Sequence, residues 1–170
     1  MRGSRPCFPR MLPVDIDRLM DLAVKTANRS PNRPRKVGAV IIPAEGGEIA
    51  ACNDYPRGVR DLEERHAGDG RLVWQEHAER NAIFAAAREG RRLAGATIFS
   101  TYFPCADCAR AIVQSGITKL YTLAPDLADP VWGQAFLASR VILEEGGVEM
   151  TFLDRDPAEM HAATMGLPRK

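Results

Sequence analysis

Two short motifs in this chain of 170 residues contain side chains that could do chemistry together. The first is His77-Ala-Glu79, and the second is Cys105-Ala-Asp-Cys108, which directly follows Pro104. Each motif opens a predicted helix, and cysteines three residues apart in a first helical turn point the same way. The positive end of the helix dipole lowers their pKa toward the thiolate form that binds zinc. We therefore predict that His77, Cys105 and Cys108 hold a zinc ion.

Three protein ligands leave the fourth tetrahedral position of zinc for water, which is typical of a catalytic site. Zinc lowers the pKa of its bound water from about 15.7 to near 7, so it supplies hydroxide at neutral pH. Glu79 would lie beside this water and carry its proton. The predicted cofactor is thus one catalytic zinc ion, and Glu79 is the predicted catalytic residue.

Each motif has a second interpretation when it is taken alone. Glu79 could be an exposed glutamate that the helix dipole favours in a first turn. Cys105 and Cys108 could be a redox pair, since a predicted strand over residues 96–102 precedes them. The redox interpretation gives His77 and Glu79 no role. The combination of His-x-Glu with Pro-Cys-x-x-Cys is a known signature of zinc deaminases, and it favours the zinc interpretation.

Composition and charge limit the class of protein. A chain of this length with 45% hydrophobic residues can form one compact domain with its own core. No apolar stretch approaches the roughly 20 residues that cross a bilayer, and no signal sequence opens the chain, so we expect a cytoplasmic protein without a membrane partner. A formal charge of +1 provides no basic field for nucleic acid. We expect a small-molecule substrate instead.

Hydrophobic periodicity predicts alternating helices and strands. The helices are predicted at residues 14–24, 75–88, 105–115 and 132–145, and the strands at 37–42, 48–52, 96–102, 119–123 and 148–153. The first two strands should form an antiparallel hairpin, whereas the later strands, separated by helices, should be parallel. Residues 53–71 form a long predicted loop. The elements together predict an α/β sandwich with a mixed five-stranded sheet.

The ends of the chain differ from the middle. Prolines and charged residues interrupt both termini without a sustained apolar period. We therefore expect a loosely ordered N-terminal segment at residues 1–13, a zinc-dependent deaminase domain at residues 14–153 and a C-terminal tail at residues 154–170.

The sequence resembles the cytidine and deoxycytidylate deaminase superfamily from about residue 14 to residue 153, and within it the deoxycytidylate deaminase branch. Beside the two zinc motifs, the stretches Val37-Gly-Ala-Val-Ile and Asn53-Asp-Tyr-Pro-Arg-Gly carry the resemblance. It implies a three-layer α-β-α sandwich that assembles as a homo-oligomer of two or more copies. It also implies that Asn53 reaches the sugar or ring of the substrate and that the Ala78 N–H binds a ring carbonyl.

The branch resemblance implies deoxycytidine monophosphate (dCMP) as the leading substrate, with deoxyuridine monophosphate (dUMP) and ammonia as products. The chain departs from the branch at Ala51-Cys52-Asn53 and at Asp54, where the family commonly has glycine. Asp54 would repel a phosphate, whereas an arginine could bind one. The candidates are Arg57, Arg60, Arg33, Arg35 and Lys36. Phe103 is the aromatic residue expected to stack on the ring.

Other functions stay open on the sequence alone. The same chemistry could act on guanine, a triazine or a pterin-like ring, or on adenosine in transfer RNA. The sequence also allows a binding module with a structural zinc, which would need a fourth protein ligand such as Cys52 or His66.

Overall fold

The computed structural model describes residues 15–130 and 132–167, so the expected segment at residues 1–13 lies outside the described residues. Five strands and six α-helices alternate along the described chain, with one turn of 3-10 helix at Glu63–Arg65. The strands are β1 (Gly38–Ile42), β2 (Ile49–Cys52), β3 (Thr97–Ser100), β4 (Lys119–Thr122) and β5 (Glu149–Phe152). The helices are α1 (Ile16–Ala27), α2 (Gly70–Trp74), α3 (Ala78–Arg88), α4 (Ala106–Gln114), α5 (Gly133–Glu145) and α6 (Pro157–Thr164).

The strands form one sheet in the order β2-β1-β3-β4-β5. Strand β1 is antiparallel to β2 and to β3, whereas β3 pairs with β4, and β4 with β5, in parallel. Gly46 and Gly47, both with positive φ, lie in the connection between β1 and β2, where the Gly46 N–H donates to the Pro43 carbonyl oxygen at 2.9 Å. The predicted mixed sheet, with an antiparallel hairpin first and parallel strands later, is confirmed.

Side chains alternate between the two faces of the sheet, and each face has its own core. Ala39, Ile41 and Ile98 pack on one face with residues of α3, α4 and α5. Val40 and Phe99 pack on the other face, with α1 and with Met160 of α6. The expected three-layer α-β-α sandwich is therefore present.

The start of β1 lies very close to α1. A Cβ atom on Gly38 would lie 1.9 Å from the carbonyl oxygen of Ala23 in α1. Only glycine lets the strand and the helix backbones approach this closely.

Helix α3 begins later than the period predicts, at Ala78 instead of residue 75. The backbone of Glu76 pairs with Asp54 in an isolated bridge, with N–H···O distances of 3.1 and 2.8 Å. This bridge holds Glu76 in an extended conformation, and His77 becomes the N-cap of α3. The predicted loop at residues 53–71 likewise contains the 3-10 turn and leads into α2.

The segment expected as a C-terminal tail contains α6, which packs against α1. Asp156 caps α6 by accepting hydrogen bonds from the N–H groups of Ala158 and Glu159. His161 of α6 hydrogen-bonds the hydroxyl of Tyr102, the second residue after β3, at 2.7 Å. The division into a deaminase domain at residues 14–153 with flanking segments stays a prediction.

Candidate active site

The N-terminal ends of α3 and α4 converge and bring three metal-binding side chains together. His77 is the N-cap of α3 and Cys105 is the N-cap of α4, while Cys108 lies in the first turn of α4. The Sγ atoms of Cys105 and Cys108 lie 3.4 and 3.5 Å from Nδ1 of His77. All three ligand atoms lie within 4.8 Å of one another, and no other such group occurs in the part of the chain that the structure describes.

These separations fit a tetrahedral zinc site. Zinc bonds sulfur at about 2.3 Å and imidazole nitrogen at about 2.0 Å, and tetrahedral angles then separate sulfur from nitrogen by about 3.5 Å. The observed sulfur to nitrogen distances of 3.4 and 3.5 Å agree with this value. Two thiolates and one imidazole are also the donor types that zinc prefers.

The electrostatics of the cluster favour a thiolate before any metal binds. A hydrogen bond from the Cys108 thiol lowers the pKa of Cys105 to about 4. The same hydrogen bond, together with burial, raises the pKa of Cys108. A hydrogen bond to Cys105 raises the pKa of His77. The Cys105 thiol therefore favours the thiolate form that binds a metal, and metal binding would release the protons that remain on the ligands.

Glu79 lies beside this cluster and is almost completely buried, with 3% of its surface exposed. Its Oε1 accepts a hydrogen bond from Ser100 Oγ at 3.2 Å, and its Oε2 lies 3.5 Å from Cys108 Sγ. Desolvation raises the pKa of the Glu79 carboxyl. A carboxyl with a raised pKa can both accept and release a proton nearer to neutral pH.

A cavity opens on the cluster between the loop before β1, helix α2 and the start of α5. Six of its lining residues were predicted to belong to the site: His77, Glu79 and Cys105, with Asn53, Ala78 and Phe103. Ala78 is the first residue of α3, and the first N–H groups of a helix lack an acceptor within the helix. Phe103 packs edge to face on Phe136, with the ring centres 5.7 Å apart.

Asn53 also lines this cavity, but its side chain is held by the backbone of the preceding loop. Its Oδ1 accepts from the Val37 N–H at 2.8 Å, and its Nδ2 donates to the carbonyl oxygen of Arg35 at 3.0 Å. Asp54 and Arg57 line a second cavity, which Cys52 and Asn81 also border. The structure therefore does not bring Asp54 and Arg57 together with Glu79, and their part in substrate binding stays a prediction.

Several cavity residues have no local signal in the sequence. Asn32, Trp132 and the pair Arg71 and Gln75 of α2 and its C-cap come from three separate segments and meet only in the folded chain. Ser100, which donates a hydrogen bond to Glu79, is the last residue of a short buried strand, and nothing in the surrounding sequence distinguishes it from a serine without a function. Periodicity and motif spacing contain no information about such contacts.

The two residues considered as a fourth zinc ligand lie elsewhere. Nε2 of His66 is 2.5 Å from Asp61 Oδ1 and 3.3 Å from the Tyr55 hydroxyl. Cys52 borders the second cavity, where desolvation raises the pKa of its thiol. Among the described residues, the cluster thus has three protein ligands.

Comparison with known proteins agrees with this site. The sequence model of the family described as "Cytidine and deoxycytidylate deaminase zinc-binding region" matches residues 13–124. The chain is 33% identical over 142 residues to an "Uncharacterized deaminase in luxG 3'region" of Aliivibrio fischeri, covering 82% of this chain and 93% of that protein. It is 30% identical to a "Probable deoxycytidylate deaminase" of Drosophila melanogaster, covering 78% of this chain and 69% of the relative.

The fold also has a solved counterpart. The dCMP deaminase of cyanophage S-TIM5, in its apo form, superposes with a TM-score of 0.65 at 25% sequence identity. The alignment covers 84% of this chain and 100% of the phage protein. The described helices include none long and apolar enough to span a membrane.

Proposed function

The chain belongs to the zinc-binding cytidine and deoxycytidylate deaminase family and is a deaminase, and from this premise we propose that it hydrolyses dCMP to dUMP with release of ammonia. One observation favours a nucleotide over a nucleoside as the substrate. Arg35 and Arg71 line the cavity of Glu79, and among the described residues neither guanidinium has a carboxylate partner.

Other arginines near the cavity are neutralised within the protein. Arg33 forms two hydrogen bonds to the Glu63 carboxylate, at 2.8 and 2.6 Å, and Arg80 pairs with Glu76. Arg35 stacks over the Tyr102 ring at 5.2 Å, which leaves its N–H groups available. Guanidinium groups bind phosphate through paired charge-assisted hydrogen bonds. The phosphate of dCMP is the substrate group that suits them.

We propose that His77, Cys105 and Cys108 hold one zinc ion, whose fourth ligand is water. When bound, zinc would act as a Lewis acid that makes this water acidic enough to supply hydroxide at neutral pH. The thiol of Cys105, which is partly buried, and the buried thiol of Cys108 keep two of the ligands at fixed positions on one helix turn. A rigid ligand set of this kind leaves the orientation of the substrate to the cavity walls.

Glu79 is the proposed carrier of protons. It accepts a proton from the attacking water as the oxygen bonds to the ring carbon that bears the amino group. It then delivers this proton to the ring nitrogen, takes a second proton from the new hydroxyl group on the same carbon and passes it to the amino group. The carbonyl forms as the carbon to nitrogen bond breaks, and ammonia leaves. The hydrogen bond from Ser100 keeps the Glu79 carboxylate oriented through both transfers.

The ring is proposed to lie between the cluster and Phe103. The N–H of Ala78, at the positive end of α3, would donate to the ring carbonyl, and Phe103 would contact the ring. Asn53 would contact the sugar or ring while its own amide braces the loop at Arg35 and Val37.

A substrate panel with the zinc-loaded protein tests the proposal. Ammonia release is measured with dCMP, deoxycytidine, guanine, a triazine and a pterin-like compound. Two charge-assisted hydrogen bonds of about 1.5 kcal/mol each favour dCMP over deoxycytidine by at least about 100-fold in kcat/KM. Arg35→Met and Arg71→Met should reduce this preference, whereas Arg140→Met on the exposed side of α5 should not.

Equal rates with dCMP and deoxycytidine would contradict the phosphate subsite, and a higher rate with another heterocycle would contradict the substrate. If the zinc-loaded protein releases no ammonia from any of these compounds, the proposed reaction itself is contradicted.

We further propose that the protein is cytoplasmic and assembles as a homo-oligomer. Apolar side chains on the outer helical layer support the oligomer: Phe84 of α3 is 46% exposed, and Leu137 and Val141 of α5 are 42% and 50% exposed. Sedimentation equilibrium should give a mass of at least twice 18.7 kDa. A monomer at micromolar concentration would contradict the proposal.

A further inference from the structure

Gln75 is a buried cavity residue whose hydrogen-bonding capacity is not used up. Its exposed fraction is 8%, and its Nε2 atom is fully buried without a hydrogen-bond partner in the part of the chain that the structure describes. A buried amide N–H without an acceptor costs about 1–3 kcal/mol. Because Gln75 lines the cavity of Glu79, a bound molecule can supply the missing acceptor.

The neighbouring hydrogen bonds fix which end of the Gln75 amide is free. The backbone N–H of Arg35 can only donate, and it donates to Asn32 at 3.0 Å, so the acceptor there is Oδ1 of Asn32. Nδ2 of Asn32 then donates to Oε1 of Gln75 at 2.7 Å. The nitrogen of Gln75 must therefore be the atom that stays without a partner.

The loop that holds this donor is itself braced. Ser30 Oγ donates to the Asn53 carbonyl oxygen at 2.6 Å and accepts from the Asn32 N–H at 3.1 Å. The Gln75 N–H donates to the carbonyl oxygen of Arg71 at 3.2 Å. A donor held in place on both sides loses little freedom when it binds a ligand.

We propose that Nε2 of Gln75 donates a hydrogen bond to an oxygen of the bound substrate, which makes Gln75 a specificity-determining residue of this cavity. The inference rests on the proposed function, since the nucleotide provides the oxygen. Oxygen atoms that can accept this hydrogen bond occur on the ring, on the sugar and on the phosphate of dCMP.

Two substitutions of Gln75 in the zinc-loaded full chain test the proposal. Gln75→Glu keeps an oxygen for Asn32 but has no donor, and Gln75→Met has neither group and adds no charge. Loss of the donor is the change that they share. We expect KM for dCMP and the Kd of dUMP, measured by calorimetry, to rise at least about tenfold in both variants, with a smaller change in kcat.

Gln114→Met, at the exposed end of α4, is the matched control and should leave both constants unchanged. Deoxycytidine identifies the acceptor: an equal loss with dCMP and deoxycytidine assigns it to the ring or sugar, and a loss only with dCMP assigns it to the phosphate. Both outcomes support the donor role.

A purely structural role for Gln75 predicts a different result. Gln75→Glu would then bind dUMP like the wild type, and only Gln75→Met would lose affinity together with melting temperature, which would overturn the inference. If the wild type deaminates dCMP and both variants have the same KM as the wild type, the inference about Gln75 is overturned and the proposed function stands. Wild-type protein that releases no ammonia from dCMP would instead overturn the proposed function.

Discussion

Replacing Glu79 with glutamine separates the proposed proton carrier from every other part of the site. Glutamine has nearly the same size and keeps an oxygen for Ser100, which lies 3.2 Å from Glu79 Oε1 in the wild type. It cannot carry a proton. General acid–base catalysis contributes about 10²–10⁴-fold to a rate, so kcat with dCMP should fall by about this factor while KM changes little.

The same substitution should stabilise the metal-free protein at neutral pH. Desolvation raises the pKa of Glu79 in the folded state above its value in the unfolded chain. A carboxyl with a raised folded pKa contributes stability below the unfolded pKa and loses it as pH rises through the folded pKa. Glutamine has no such loss, so Glu79→Gln should melt above the wild type at about pH 7, and the difference should shrink toward about pH 4.

The two effects are measured separately, by the rate of ammonia release from zinc-loaded protein and by calorimetric melting of metal-free protein. Ser115→Ala, on the C-terminal end of α4, serves as a control that should leave kcat unchanged. A Glu79→Gln protein with wild-type kcat would refute the proton path. A melting temperature below that of the wild type at neutral pH would refute the argument from desolvation.

Three further predictions concern the Cys105 thiol, the Ser100 hydroxyl and the glycine at position 38. In metal-free protein, iodoacetamide should modify Cys105 at nearly the same rate from about pH 6 to about pH 8, because the pKa of this thiol is about 4. Bound zinc should protect Cys105 from modification. A tenfold rise of the rate over that pH range would count against a preformed thiolate. Ser100→Ala should lower kcat about tenfold, because Glu79 loses its orienting hydrogen bond, and Ser100→Thr should recover part of it; equal kcat in all three proteins would exclude this role. Gly38→Ala should lower the free energy of unfolding in urea by about 1–3 kcal/mol or more, because its Cβ would lie 1.9 Å from the Ala23 carbonyl oxygen; an unchanged urea midpoint would contradict that contact.

The sequence was most informative where the chain is periodic. The sequence predicted all five strands and the four longest helices. These helices bury one face against the sheet, whereas β1 and β3 are short apolar runs that are buried on both faces. The start of α3 was predicted three residues early, because the Asp54 to Glu76 bridge is a tertiary contact that removes Glu76 from the helix. The five-residue helix α2 is too short for a period to reveal it.

The cavity was less predictable than the metal cluster. His77, Cys105 and Cys108 lie at two helix starts, and the known combination of their two motifs predicted the group. Position in the sequence predicts less well which residues line the same cavity where the backbone is extended, because successive side chains then point to opposite sides. Asn53 lines the cavity of Glu79, but the next residue, Asp54, lines the other cavity.

X-ray absorption at the zinc edge of the purified full chain tests the central claim most directly, since the account depends on an open metal site. His77, Cys105 and Cys108 predict one zinc per chain with two sulfur atoms at about 2.3 Å, one imidazole nitrogen at about 2.0 Å and one further light atom from water. Substituting Cys108 with serine should remove one sulfur from this shell. A shell of four protein ligands, or a wild-type protein that takes up no zinc, would contradict the account.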